Sequence, residues 1–161
     1  MYEFAPEANA PKPELYDDLA SAARALVSGE SDGVANMANL AALIWQFVPD
    51  LNWAGFYRRI EDELVLGPFI GKPACIRIAL GAGVCGAAAA SGETQLVPDV
   101  HAFPGHIACD ADSRSELVVP VLQDGKVIAV IDLDSPLPGR FDADDAEGIA
   151  RLAAIAAEAI G

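Results

Sequence analysis

Basic residues are scarce in this chain. Ten lysines and arginines stand against twenty-four aspartates and glutamates in 161 residues, a formal net charge of −14 at pH 7. A surface this acidic is repelled by phosphate backbones and anionic membranes, so neither nucleic acid nor a membrane is expected as a partner. Long apolar runs are missing too. The longest helical apolar patch, alanine-rich Val84 to Ala90, falls well short of the roughly 18 residues of a membrane span. The opening stretch MYEFAPEANA lacks the basic and apolar regions of a secretory signal, and the expected location is cytoplasmic. Aromatics are only 7% of the chain, and alanine inflates the 53% hydrophobic content. Three cysteines, Cys75, Cys85 and Cys109, are too few and too unevenly spaced for the disulfide framework of a small secreted domain. Inert packing, metal ligation and redox catalysis are the roles left open to them.

What is present reads as one domain over residues 1–161. Residues 1–12, rich in Pro, Ala and Glu, are expected to form a flexible arm. Pro13 sits near the start of a helix carrying Leu15, Leu19, Ala22 and Leu26 at helical spacing, with Gly29 ending it. Ser31 or Asp32 can cap a second helix with Met37, Leu40, Ala41 and Ile44 on one stripe, closed by Pro49. The pattern then turns to strands: Asn52 to Ile60 and Leu64 to Ile70 as a hairpin, and Ile76, Ile78 and Leu80 alternating in a third. A short helix, Val84 to Ser91, and a strand, Thr94 to Val97, follow. Glu116 to Leu122 and Val127 to Leu133 flank Asp124-Gly125, a strong hairpin signal. The second of these strands is apolar on both faces, as a central, covered strand would be. Asp142 can cap a final helix through Ile149, Leu152 and Ile155. The order predicts an α+β fold: a mostly antiparallel sheet flanked by N- and C-terminal helices, with an inserted helix and long loop.

That loop, Asp99 to about Arg114, holds both histidines and Cys109 among Val, Phe, Ile and Pro. Loops longer than about 12–15 residues are usually functional or disordered, and this one is too apolar for disorder. A thiolate at Cys109 could attack an electrophilic sulfur or carbon, with His101, His106 or Arg114 near enough in sequence to lower its pKa. Residue type alone leaves packing equally open. A metal site from the three cysteines and a histidine lacks the paired short spacing of structural zinc sites, and no metal is expected.

The segments NWAGFY (52–57), LGPFIGKPACIRI (66–78), GAGVCGAAAASGETQLVPDVHAFPGHIACDADSRSELVVP (81–120) and VIAVIDLDSP (127–136) closely resemble free methionine-(R)-sulfoxide reductases, enzymes built on a GAF domain. The resemblance spans about residues 50–136 and implies a GAF-like fold. It implies further that Cys109 is the nucleophile, Cys75 the resolving partner and Cys85 a second resolving or relay thiol. Substrate-binding roles are implied for Trp53, Tyr57, Glu116, Asp132 and Asp134, and for the backbone from Ile107 to Cys109. Thioredoxin, re-reduced by NADPH through its reductase, is the implied external reductant. No bound cofactor is implied, and homodimerisation follows by the same analogy.

The implied chemistry suits these residue types. Sulfoxide reduction needs a thiolate and an acid, and a sulfenic acid left on the nucleophile condenses with a second thiol. Asp132 and Asp134, two apart on one strand, point to one face, and Glu116 on the preceding strand can join them. Three acids suit the α-ammonium of a free amino acid, and crowding of their charges raises one pKa enough to supply a proton. Trp53 and Tyr57 also share a strand face and can hold an S-methyl group. Two other readings use the same residues. A ligand-sensing module has no use for three cysteines, and a redox switch has none for the acid cluster.

Overall fold

Aspartates set the starts of two helices. In the computed structural model, which describes residues 3–107 and 109–161, Asp32 accepts a hydrogen bond from the Ala35 amide and opens α2 (Gly33–Phe47). Asp142 opens α4 (Ala143–Ala159) in a capping box, its side chain bonded to the Asp145 amide while Asp145 bonds back to the Asp142 amide. Helix α1 (Lys12–Val27) begins behind Pro11, with Pro13 in its first turn, where a missing amide costs nothing. Part of the expected arm, residues 1 and 2, lies outside the described residues. Phe4, within that same segment, packs against the helical layer.

Six strands form one sheet in the order β3-β2-β1-β6-β5-β4, with every neighbouring pair antiparallel. They are β1 (Trp53–Ile60), β2 (Glu63–Gly71), β3 (Arg77–Ala79), β4 (Gln95–Val97), β5 (Ser115–Gln123) and β6 (Lys126–Ser135). Asp124, at positive φ, and Gly125 turn β5 into β6, as the sequence predicts. The expected third strand, residues 76–80, shortens to three residues, and a single 3₁₀ turn, Val100–Ala102, interrupts the long loop.

Strand alternation sorts the side chains into two layers. Ala54, Phe56, Leu117, Val119, Ile131 and Leu133 pack under α1, α2 and α4 in the main core. The opposite face carries Trp53, Tyr57, Val118 and Val130, together with Glu116, Asp132 and Asp134, beneath α3 (Gly83–Ser91) and the loop after β4. The central strand β6 is therefore covered on both sides, which is why its run from Val127 to Leu133 lacks polar alternation until Asp132. No helix among the described residues is long and apolar enough to cross a membrane.

A polar knot joins the first and last helices. The buried Asp145 carboxylate accepts from Tyr16 Oη at 2.7 Å and pairs with Lys12 at 2.7 Å and Arg140 at 3.3 Å. The knot satisfies a carboxylate that burial would otherwise penalise.

Candidate active site

Three strands supply the floor of a small cavity that opens to solvent. Register decides which side chains meet there. Trp53 of β1 lies across from Asp134 of β6, Gly55 from Asp132, and Asp134 in turn from Glu116 of β5. Alternation puts these residues on the same face, so the three acids gather above the middle of the sheet. Gly55 keeps the wall beside Asp132 thin. A Cβ there would come within 2.3 Å of Phe69, whose ring stacks on Trp53 with centroids 5.0 Å apart. Tyr57 extends this aromatic wall, 5.8 Å from Trp53, and its hydroxyl donates to the Cys75 carbonyl at 2.9 Å.

The roof comes from α3 and the loops. Gly86 lets α3 sit close against β3, since a Cβ at that position would meet the Ala79 carbonyl at 2.5 Å. This contact holds buried Cys85, in the first turn of α3, against the acids, and its Sγ lies 3.9 Å from Glu116 Oε1. The loops carrying GKPAC and HIACD are joined by a Cys75–Cys109 disulfide with Cα atoms 5.7 Å apart. Lys72 reinforces that junction, reaching Asp112 at 2.6 Å. Cys85 is a free thiol.

Trp53, Tyr57, Cys85, Ile107, Cys109, Glu116, Asp132 and Asp134 thus all line one cavity, and Cys75 is tied to it through Cys109. The Ile107–Cys109 backbone, also expected at the site, includes Ala108, which lies outside the described residues. The Cys109 amide donates to the Ile107 carbonyl at 3.0 Å. Of His101, His106 and Arg114, only His106 lines the cavity. Arg114 is exposed, its backbone spent on Val100 and Ser135, and His101 is exposed in the 3₁₀ turn.

Asn52, Asp110 and Ser113 escaped the sequence reading. The Asn52 side chain donates to Asp110 at 3.2 Å and Ser113 at 3.1 Å, while its amide donates to the Asp134 carbonyl at 2.9 Å. This bracket fastens the Cys109 loop to the end of β6. Its only trace in the sequence is a set of small polar residues around Cys109, a pattern common to most loops.

The electrostatics are dominated by burial. Burial, then the charges of Asp132 and Asp134, pushes the Glu116 carboxyl well above the ordinary carboxylate range. Asp134 is raised well above it by burial and by Asp132 and Asp110. Burial raises Asp132 as well, with hydrogen bonds from Glu116 and Cys85 opposing the shift. The Cys85 thiol is driven up by burial and by the same two acids, Asp132 and Glu116. Burial and the neighbouring His101 lower His106, whose Nε2 is 3.9 Å from Glu116 Oε2. The cluster therefore retains protons that exposed carboxyls would have lost. It lies beside the Cys75–Cys109 disulfide, and Cys109 lines the same cavity.

The GAF domain family matches residues 34–161. The free methionine-R-sulfoxide reductase of Escherichia coli is 49% identical over 143 residues, covering 89% of this chain and 87% of its own. The yeast enzyme of that name, from Saccharomyces cerevisiae, is 45% identical over 153 residues, covering 90% and 85%. Among solved structures, the free methionine-R-sulfoxide reductase of Neisseria meningitidis in complex with its substrate superimposes with a TM-score of 0.94. It is 42% identical, and the match covers 99% of this chain and 96% of that one.

Proposed function

This chain belongs to the free methionine-R-sulfoxide reductase family of GAF-domain proteins, and we propose that it reduces free methionine-(R)-sulfoxide to methionine with Cys109 as nucleophile. The observation that carries this reading is the pairing of Cys109 with Cys75 at the mouth of a cavity floored by three acids. The Cys109 thiolate attacks the sulfoxide sulfur, whose oxygen takes a proton from the acid cluster. Methionine leaves and the oxygen remains on Cys109 as a sulfenic acid. The Cys75 thiol then displaces that oxygen as water, forming the disulfide. An external dithiol, thioredoxin, reopens it by exchange and is itself oxidised, to be re-reduced by NADPH through thioredoxin reductase.

Each wall of the cavity has a part in this reading. Glu116, Asp132 and Asp134 hold the α-ammonium of the free amino acid, a group absent from methionine sulfoxide inside a polypeptide. Trp53 and Tyr57 hold the S-methyl end, and the backbone from Ile107 to Cys109 borders the sulfoxide. Cys85, protonated and donating toward Glu116, braces the acids in the disulfide form and serves as a reserve thiol for relay. The enzyme acts in the cytoplasm as a homodimer, each chain one domain over residues 1–161 with residues 1–12 as an arm.

The test offers the protein free methionine-R-sulfoxide, its S epimer and a peptide-bound sulfoxide, with thioredoxin, thioredoxin reductase and NADPH. R-selective NADPH oxidation with the free substrate alone supports the reading. Equal activity on the peptide, or no activity with a working recycling system, would overturn it.

A further inference from the structure

A second ligand chemistry is built into the floor of the cavity. The Cys85 sulfur, a Glu116 carboxylate oxygen and an Asp132 carboxylate oxygen lie within 4.8 Å of one another, and all three residues are buried. Asp132, only 5% exposed, keeps Oδ1 buried with no hydrogen-bond partner among the described residues. An orphaned carboxylate oxygen in such a place is costly unless something cationic completes it. His106 Nε2 faces the same group, 3.9 Å from Glu116 Oε2.

From this arrangement we propose that Cys85, His106, Glu116 and Asp132 form a binding site for a borderline-soft divalent transition metal ion, zinc being the natural occupant. One thiolate, one imidazole and two carboxylates are a donor set that zinc accepts in tetrahedral geometry, with bonds of about 2.0–2.3 Å. Tetrahedral donors then stand roughly 3.5 Å apart; the Cys85, Glu116 and Asp132 donors lie within 4.8 Å of one another, and His106 Nε2 lies 3.9 Å from Glu116 Oε2. The thiolate and imidazole select against magnesium and calcium, which demand oxygen donors and higher coordination. Binding displaces the Cys85 proton and the protons shared among the carboxyls, releasing them to solvent. Occupancy therefore strengthens as pH rises. The metal also neutralises the field that would hold a substrate's ammonium group, which makes zinc a competitor at this pocket.

The site is testable without turnover, so its failure and that of the proposed reaction can be told apart. Cobalt(II) is titrated into the full-length protein in its Cys75–Cys109 disulfide form, in which Cys85 is the only thiol. The expected result is a thiolate-to-cobalt charge-transfer band saturating at one equivalent and abolished by zinc. Cys85→Ala should remove the band while circular dichroism stays native. His106→Gln, on a loop and tolerant of change, should keep the band but weaken binding about tenfold or more. No band in the wild-type protein, a band surviving Cys85→Ala, or unchanged affinity in His106→Gln would each overturn the four-ligand site.

Discussion

Glu116 and Asp134 stand directly opposite each other on neighbouring antiparallel strands, both facing the same cavity. Like charges so paired are unfavourable in a sheet, and burial worsens the conflict. Burial first, and then the charge of Asp132, makes both carboxyls hold protons well above the ordinary range. The folded protein thus binds more protons than the unfolded chain from the ordinary carboxylate pKa, about 4, up to the raised values. Stability falls as pH climbs through that window and recovers as pH drops. Glu116→Gln removes one charge at nearly constant shape. At pH 8 the variant should melt above wild type by roughly 2–4 °C for each kcal/mol relieved, with the gap narrowing toward pH 4. A calorimetric pH series measures this, and a gap independent of pH would contradict it.

The same variant separates stability from activity. If the cluster holds an ammonium group, Glu116→Gln and Asp132→Asn should raise KM for free methionine-R-sulfoxide by about tenfold or more, as loss of a charge-assisted hydrogen bond implies. Stabilised but catalytically weaker protein is the signature of a site built against its own fold. Steady-state kinetics on both variants is the check.

Cysteine roles are resolved by counting products. Cys109→Ser should lower kcat by on the order of 10³ or more. Cys75→Ser should release one methionine per chain and then stall, unless Cys85, the free thiol lining the same cavity, takes over as resolving thiol. Rapid-quench quantification of methionine, with a sulfenic-acid trap followed by mass spectrometry, reads both outcomes. Sustained turnover of Cys75→Ser would transfer the resolving role to Cys85.

Thiol accessibility follows from the disulfide form. Buried Cys85 should resist alkylation in the native protein, and one thiol should appear on denaturation. All three should label after reduction and denaturation. Mass spectrometry after each step gives the count.

The helical layer has its own weak point. A Cβ on Gly148 would lie 2.1 Å from Tyr16 Cγ, and Tyr16 is anchored at its far end by Asp145. Gly148→Ala should cost about 1–3 kcal/mol from overpacking, with more if the Tyr16–Asp145 bond breaks. Tyr16→Phe keeps the ring and loses only the bond, so comparing the two by urea unfolding divides packing from hydrogen bonding.

Much of this protein was readable from local pattern. Helical stripes around Leu19 and Ile44, the cap at Asp142, the Asp124-Gly125 turn and the alternation that turns Asp132 and Asp134 to one face depend on near neighbours. A single sequence displays those directly. Resemblance named the family because GKPAC, GVCG and HIACD are specific strings, yet no string states what touches what. That the GKPAC and HIACD loops meet at the Cys75–Cys109 disulfide was decided by tertiary structure, as was the approach of His106, but not Arg114, to the cavity. The Asn52–Ser113 bracket and the orphaned Asp132 oxygen were decided the same way. Strand register and the close seat of α3 on Gly86 bring these groups together, and both arise from contacts between residues far apart in the chain. Periodicity reports which way a side chain points; only the packed sheet determines what it faces.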